Sequence, residues 1–313
     1  MNKKLFIHPL ALIPHPSSLF LMDGILVIDE PEGVTSHDVV DSVRKVVGTR
    51  KVGHAGTLDP FATGVLIVGF NQGTKLLPFL QIDEKEYEGA VRLGVETDTL
   101  DRDGRILRET QCPPIGFEEM EKMLASFVGK QSQVPPIYSA IKKEGVPLYK
   151  LARKGVEVEV LPREIEVYGI TLRTLDIPDV SFTVRCSSGT YVRSLARDIG
   201  VKVGCGGHLK SLRRTRSGRF CIDKAISLCM LKEMGDKWID RVVGLRDALS
   251  LPEVLIDQSK AGMIRMGKEL YLEDICSGAA ISGRFMLTCN KELVAVAEVG
   301  EGAKLLLIRV FNP

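Results

Sequence analysis

One carboxylate stands out by what surrounds it. Asp59 lies in Gly53-His54-Ala55-Gly56-Thr57-Leu58-Asp59-Pro60-Phe61-Ala62-Thr63-Gly64-Val65-Leu66, between glycines and directly before a proline. Pro60 disfavours the helical region for Asp59 and pushes it toward extended backbone, while Gly53, Gly56 and Gly64 admit conformations or close approaches that a side chain would block. The apolar run 65–68 reads as a buried strand that anchors the turn. A carboxylate held this rigidly suits a catalytic aspartate. An Asp-Pro that merely opens a turn is the plainer alternative, and the density of constraints weighs against it.

The elements around it can be read from periodicity. Residues 25–28 form an apolar run that reads as a strand, followed by a turn at Pro31-Glu32-Gly33 and a helix capped by Thr35 or Ser36. Val39, Val40, Val43, Val46 and Val47 recur at helical spacing and Gly48 stands where a C-cap belongs, so this helix is expected to cover one face of a sheet. In 86–93, Tyr87, Gly89, Val91 and Leu93 alternate onto one strand face. A helix is expected over 118–127, with Met120, Met123, Leu124 and Phe127 inward. The stretch 180–186 alternates as a strand, and Ser187-Ser188-Gly189 turns it into a helix from about Thr190 to Ile199, stopped by Gly200. Arg193 falls in the first turn of that helix, where unpaired backbone donors and the dipole favour an anion. A phosphate contact or a solvated position suits Arg193 equally well on sequence alone.

Positive charge is local rather than global. The formal net charge of +2 over 313 residues announces no polyanionic partner. Yet 134–155 carries Lys142, Lys143, Lys150, Arg153 and Lys154 against Glu144 alone, and 199–222 carries Lys202, Lys210, Arg213, Arg214, Arg216 and Arg219 with no acid. The first of these, rich in proline with Tyr138 and Tyr149, reads as a solvated loop plus short helix or as a surface for RNA backbone and stacking. Composition, 44% hydrophobic and 26% charged, is that of a globular chain long enough for one large domain and a smaller one. Seven scattered cysteines without a Cys-x-x-Cys pair argue for reduced thiols, and Cys205-Gly-Gly-His208 lacks the further ligands a zinc site needs. Residues 1–22 read as a disordered extension, too short in its apolar run for a membrane span and broken by prolines, with Met22 as an alternative start. Residues 251–313 read as a small β domain with strands near 281–288, 293–299 and 304–311.

The segment 53–66 matches every fixed position of Gly-His-x-Gly-x-Leu-Asp-Pro-x-Ala-x-Gly-x-Leu, and by it the chain resembles the TruB family of tRNA pseudouridine synthases, with further matches in order from about residue 24 to residue 220. The resemblance implies an α+β fold: a mixed, mainly antiparallel sheet with flanking helices over 23–250, an RNA-binding insertion at about 130–165, and a PUA-like β domain over 251–313. It implies isomerisation of uridine at position 55 of the tRNA T-loop. That reaction breaks the glycosidic bond, rotates the bound uracil and rejoins it through C5, without cofactor, metal or redox change. Asp59 would be the nucleophile, on ribose C1′ or base C6 or in support of a glycal. Arg193, in Gly189-Thr190-Tyr191-Val192-Arg193, would be its bidentate counter-ion, and Tyr87 would stack on the base and serve as a candidate base for C5. A plain core tyrosine fits Tyr87 equally by periodicity.

By the same resemblance His54 contacts the RNA stack around the flipped nucleotide, Tyr191 supports the Asp59–Arg193 pair and Leu212 packs the other face of the base. Lys142, Lys143, Arg153, Lys154, Arg213, Arg214 and Arg216 are expected to hold the tRNA T-arm. Where the family usually has Lys-Pro, this chain has Glu30-Pro31, a charge reversal expected to affect local packing rather than activity. A cytoplasmic monomer with no obligatory protein partner is expected. The competing readings are a guide-RNA-dependent rRNA pseudouridine synthase and an RNA-binding or tRNA-folding protein with a dispensable site.

Overall fold

The computed structural model describes residues 22–156, 158–275 and 281–312. The expected N-terminal extension lies, up to residue 21, outside them. Eight strands dominate: β1 (Gly24–Glu30), β2 (Val52–Ala55), β3 (Thr63–Phe70), β4 (Lys85–Leu93), β5 (Gly129–Gln133), β6 (Arg163–Asp176), β7 (Asp179–Cys186) and β8 (Gly207–Ser217). With a short parallel strand at Ile226–Ser227 beside β1, seven of them line up in the order β1-β3-β8-β4-β7-β6-β5, and β2 pairs with β3 off this path. All of these pairings are antiparallel except β3 with β8, which is parallel and limited to Arg213↔Thr63 and Arg214↔Gly64. This short junction divides the sheet into two halves, each with its own helices.

On the β1–β3 half packs α1 (Ser36–Val47). Thr35 caps it in a reciprocal box with Asp38, Gly48 closes it in the left-handed region at φ 73°, and Val39, Val40, Val43 and Val47 are buried against Leu26, Ile28 and Leu66. The other half carries α2 (Phe117–Ala125) and α3 (Val192–Val203). Their buried Met120, Leu124, Leu195 and Ile199 meet Val91, Val180, Phe182 and Val184 of the strands. The period-two face of β4 is as expected, with Tyr87, Val91 and Leu93 inside.

Three sequence expectations need correction. Gly200 does not stop α3: the helix runs on to Val203 and Gly204 caps it, and a Cβ at Gly200 would come within 2.3 Å of the Gly206 carbonyl carbon, so the glycine serves a close helix-to-loop approach. The strand after Asp59 begins at Thr63 rather than Val65. His54 sits on β2, paired with Val68, instead of in a loop.

The C-terminal residues form a four-stranded sheet from Glu253–Leu255, Arg284–Cys289, Glu292–Val299 and Leu305–Val310, so the sequence expectation missed its first strand and the helix Gln258–Arg265. One face has its own core around Ile264, Phe285 and Leu287. From the other, Met286, Leu293, Val296 and Phe311 pack against Ile25, Val27 and Ile67, the back of the β1–β3 half. Burial of that kind stabilises by about 25 cal/mol per Å² of apolar area and ties the small sheet to the large one. Among the described residues no helix is long and apolar enough to cross a membrane.

Candidate active site

The Asp59 loop occupies the junction between the two half-sheets, running from the end of β2 to the start of β3. It is tied internally and from below. Ala62 N–H donates to Asp59 C=O (2.8 Å), Gly33 N–H to Pro60 C=O (2.8 Å) and Leu58 N–H to Ser36 Oγ (3.0 Å). Gly64 has φ 111°, and a Cβ there would lie 2.2 Å from the Arg214 carbonyl oxygen, so the loop's exit has room for no side chain.

Arg193 reaches Asp59 across the junction. Its Nη2 donates to Asp59 Oδ1 (2.9 Å) and to Tyr138 C=O (2.9 Å), while Nη1 donates to Thr99 C=O (3.1 Å) and Asp101 Oδ2 (3.3 Å). The pair is therefore not the bidentate fork expected: the guanidinium divides between two carboxylates and two carbonyls. Arg193 is 5% exposed at its side chain and Asp59 35%, so the cation is enclosed and the carboxylate faces outward. Such an arrangement fixes the carboxylate while leaving an oxygen free to react.

Asp101 was absent from the sequence expectations. Its signal is the run Thr97-Asp98-Thr99-Leu100-Asp101-Arg102-Asp103-Gly104, dense in residues that bond their own backbone. Thr99 Oγ1 donates to Asp101 Oδ1 (2.5 Å), Thr97 Oγ1 to Asp101 C=O (2.7 Å), and Leu100 takes φ 64° to make the turn. Burial raises the carboxyl pKa of both Asp59 and Asp101 above the ordinary value; Arg193 opposes this in each, and the charge of Asp101 adds to the rise at Asp59. Two carboxylates sharing one guanidinium carry a net negative charge when both ionise, which is why the cation must be held so firmly.

Tyr87 lies opposite Arg214 on neighbouring strands and opposite Val184 on the other side. Burial raises its hydroxyl pKa above 10, with Arg214 beside it acting against the rise. The hydroxyl therefore stays protonated at neutral pH. Leu212 (8% exposed) shares the apolar cluster of Tyr87, Leu58 and Phe61. Tyr191, the N-cap of α3, exchanges two hydrogen bonds with Gln133: its N–H donates to Oε1 (2.9 Å) and its C=O accepts from Nε2 (3.1 Å). Ser194 Oγ adds a bond to Val134 C=O (2.8 Å). His54 is half-buried; burial lowers its pKa, which keeps the ring neutral, and its Nδ1 has no partner among the described residues.

The two basic segments fare differently. Lys142, Lys143, Lys150, Arg153 and Lys154 are all exposed, on a hairpin (Lys142–Lys143 with Val146–Pro147), the short helix Leu148–Ala152 and the turn that follows it, which leave the sheet between β5 and β6. None forms an ion pair among the described residues, and Arg153 lies over the Tyr149 ring at 5.6 Å. The β8 arginines are not the free patch expected. Arg214 is 2% exposed, with Nε donating to Val65 C=O (2.6 Å) and Nη2 to Gly56 C=O (3.0 Å), so it braces the two ends of the Asp59 loop from inside. Arg213 holds Asp29 through both nitrogens (3.2 and 2.8 Å), and Arg216 pairs with Glu84 (2.9 Å) and Glu86 (3.7 Å). The neutralising acids lie far away in sequence and reach β8 through the sheet.

Comparison with known proteins agrees with this geometry. The TruB family pseudouridylate synthase N-terminal domain matches residues 44–192, and the tRNA pseudouridylate synthase B C-terminal domain matches residues 193–250. A protein of Geobacter sulfurreducens named tRNA pseudouridine synthase B is 44% identical over 304 residues, covering 93% of this chain and 100% of that one. Another of that name from Geotalea uraniireducens is 52% identical over 221 residues, 71% of this chain and 69% of its own. Among solved structures, the crystal structure of a Cbf5-Nop10-Gar1 complex superposes with TM-score 0.74 at 27% identity, over 96% of this chain and 88% of that one. With the loop, its arginine and the mixed sheet all in place, the chain belongs to the TruB family of pseudouridylate synthases.

Proposed function

We propose that this enzyme converts uridine to pseudouridine at position 55 in the tRNA T-loop, with Asp59 as nucleophile. The observation that carries the reading is the 2.9 Å contact between Asp59 and an enclosed Arg193 that is anchored at three further oxygens. The reaction needs the N1–C1′ bond broken, a C5–C1′ bond made, the C5 proton released and N1 protonated, with no net oxidation. A carboxylate that adds to C1′ or C6, or that supports a glycal, serves every version of this chemistry. Arg193 in this reading favours the ionised form of Asp59 against the pull of burial. In this reading the Tyr87 ring and Leu212 hold the freed uracil between them while it turns, since a flat apolar slot restrains the plane of the base without fixing its in-plane angle. A phenol held protonated is a poor acceptor for the C5 proton, which favours the stacking role of Tyr87 over a role as base.

The target must be extruded from a folded loop at a cost of a few kcal/mol, which backbone contacts offset. In this reading the exposed Lys142, Lys143, Arg153 and Lys154 supply them, His54 contacts the RNA stack beside the flipped nucleotide and Tyr191 supports the Asp59–Arg193 pair. Relatives named tRNA pseudouridine synthase B, one of them 52% identical, support tRNA as the substrate; in this reading the enzyme is cytoplasmic and acts alone. The likeness to a Cbf5 complex keeps a protein-assisted, guide-dependent reading as the alternative, and turnover of bare tRNA transcript by the purified chain decides against it. The central test is Asp59→Ala, assayed for both filter binding of tRNA and pseudouridine formation. Binding is expected to persist while turnover vanishes. Measurable pseudouridine from this variant overturns the mechanism.

A further inference from the structure

Glu30, at the end of β1, is wholly buried, and both its carboxylate oxygens accept from Ser36 Oγ, at 3.0 and 2.9 Å. Ser36 Oγ in turn accepts the Leu58 N–H at 3.0 Å, one residue before Asp59. A buried acid is thus joined to the catalytic loop by a single hydroxyl. That hydroxyl has one proton and two lone pairs. With Glu30 ionised, the proton goes to the carboxylate and the lone pairs are left to the Leu58 N–H. With Glu30 protonated, the acid becomes a donor to Ser36 Oγ as well, so the two lone pairs are shared between it and the Leu58 N–H and the hydroxyl reorients.

The charges that face Glu30 are Arg214 from β8, which favours ionisation, and Asp38 from α1, which opposes it; β3 presents Gly64 opposite it. Burial outweighs Arg214 and Ser36 together, and Glu30 titrates at about 7 instead of 4.5. Both states of the relay are therefore populated near neutrality.

We propose that Glu30 is a positioning residue for Asp59, acting through Ser36 on the Leu58 N–H, and that its charge state sets the pose of the catalytic loop and with it the rate of the chemical step. The inference rests on Asp59 as nucleophile. In its ionised form the acid orients the serine that holds the loop.

The test is single-turnover pseudouridine formation on a tRNA transcript, followed across neutral pH for the full-length enzyme and for Glu30→Gln, Ser36→Ala and the double variant. The parent rate constant should rise as pH passes about 7. Glu30→Gln, whose amide donates as the protonated acid does, should lose that inflection and stay at the parent's acid limit, roughly tenfold below its plateau, as a loop displaced by a fraction of an ångström implies. The tRNA dissociation constant should be unchanged. Ser36→Ala should give the same flat profile, and the double variant should be no slower than either single one. A thermal midpoint at neutral pH no lower than the parent's excludes misfolding of Glu30→Gln. An inflection near neutrality that survives in Glu30→Gln, or a Ser36→Ala profile identical to the parent's, overturns the proposal. Asp59→Asn separates the two readings: if it is inactive at every pH while Glu30→Gln keeps its inflection, the relay alone is wrong, and if it is active the nucleophile itself is wrong.

Discussion

The hairpin insertion and strand β8 carry similar densities of lysine and arginine, yet they use them in opposite ways. On the insertion the cations stand in water without acidic partners among the described residues, available to a polyanion. On β8 they are consumed by the protein: Arg214 by the carbonyls of Gly56 in the loop and Val65 on β3, Arg213 by Asp29, and Arg216 by Glu84 and Glu86. A basic run in a sequence therefore reports a binding surface only when the topology keeps acids of other strands away from it. Placing β8 between β3 and β4 does the reverse.

This contrast can be broken most directly at Arg214. Arg214→Met removes the donors to Val65 and Gly56 and should cost about 3–5 kcal/mol of folding stability in urea denaturation, where a tRNA-contacting arginine would cost almost none. Next in size is the acid buried beside Arg214 without an ion pair to it. The folded pKa of Glu30 is raised from 4.5 to about 7. Its protonated form is thus favoured by folding; that contribution is complete below the unfolded pKa and is lost as pH rises between the two values. Glu30→Gln should then be more stable than the parent at alkaline pH by up to roughly 3 kcal/mol, with the gap closing toward acid, as paired melting curves over that range would show. A constant gap contradicts it.

On the insertion side the expected change is in binding. Replacing Lys142, Lys143, Arg153 and Lys154 together by Ala should leave stability within about 0.5 kcal/mol and lower the slope of log affinity for tRNA against log salt by roughly three. An unchanged slope would move the RNA contacts elsewhere. The smallest effect belongs to Arg213→Ala, whose half-exposed bidentate partner Asp29 makes the pair worth about 1 kcal/mol or less. A larger loss would mean that the Arg213–Asp29 pair helps to hold the short β3–β8 junction closed.

What the sequence disclosed follows from how local each signal is. Asp59, the caps at Thr35 and Gly48 and the alternating face of β4 depend on residues within a few positions, and they are found where periodicity and turn chemistry put them. The Arg193–Asp59 pairing spans 134 residues and came from likeness to a family rather than from any local pattern. Asp101, 92 residues from Arg193, was overlooked because its Thr- and Asp-rich turn looks like an ordinary solvated loop until the fold closes over it. Gly200 misled for the opposite reason. A glycine in a helical pattern suggests a stop, whereas here the space it leaves is filled by backbone from residues 206 and 207.

The insertion has its roots in α3, the helix that carries Arg193. Gln133, Val134 and Tyr138, the residues that lead into the hairpin, bond respectively to Tyr191, Ser194 and Arg193 in the first turn of α3. Excising the arm to make a minimal catalytic core would therefore be an operation on the active centre: it would remove a carbonyl that steadies the arginine and free the end of the helix that carries it. An arm-deleted enzyme that failed to turn over would say nothing about RNA capture, and charge substitutions confined to the tip are the cleaner instrument.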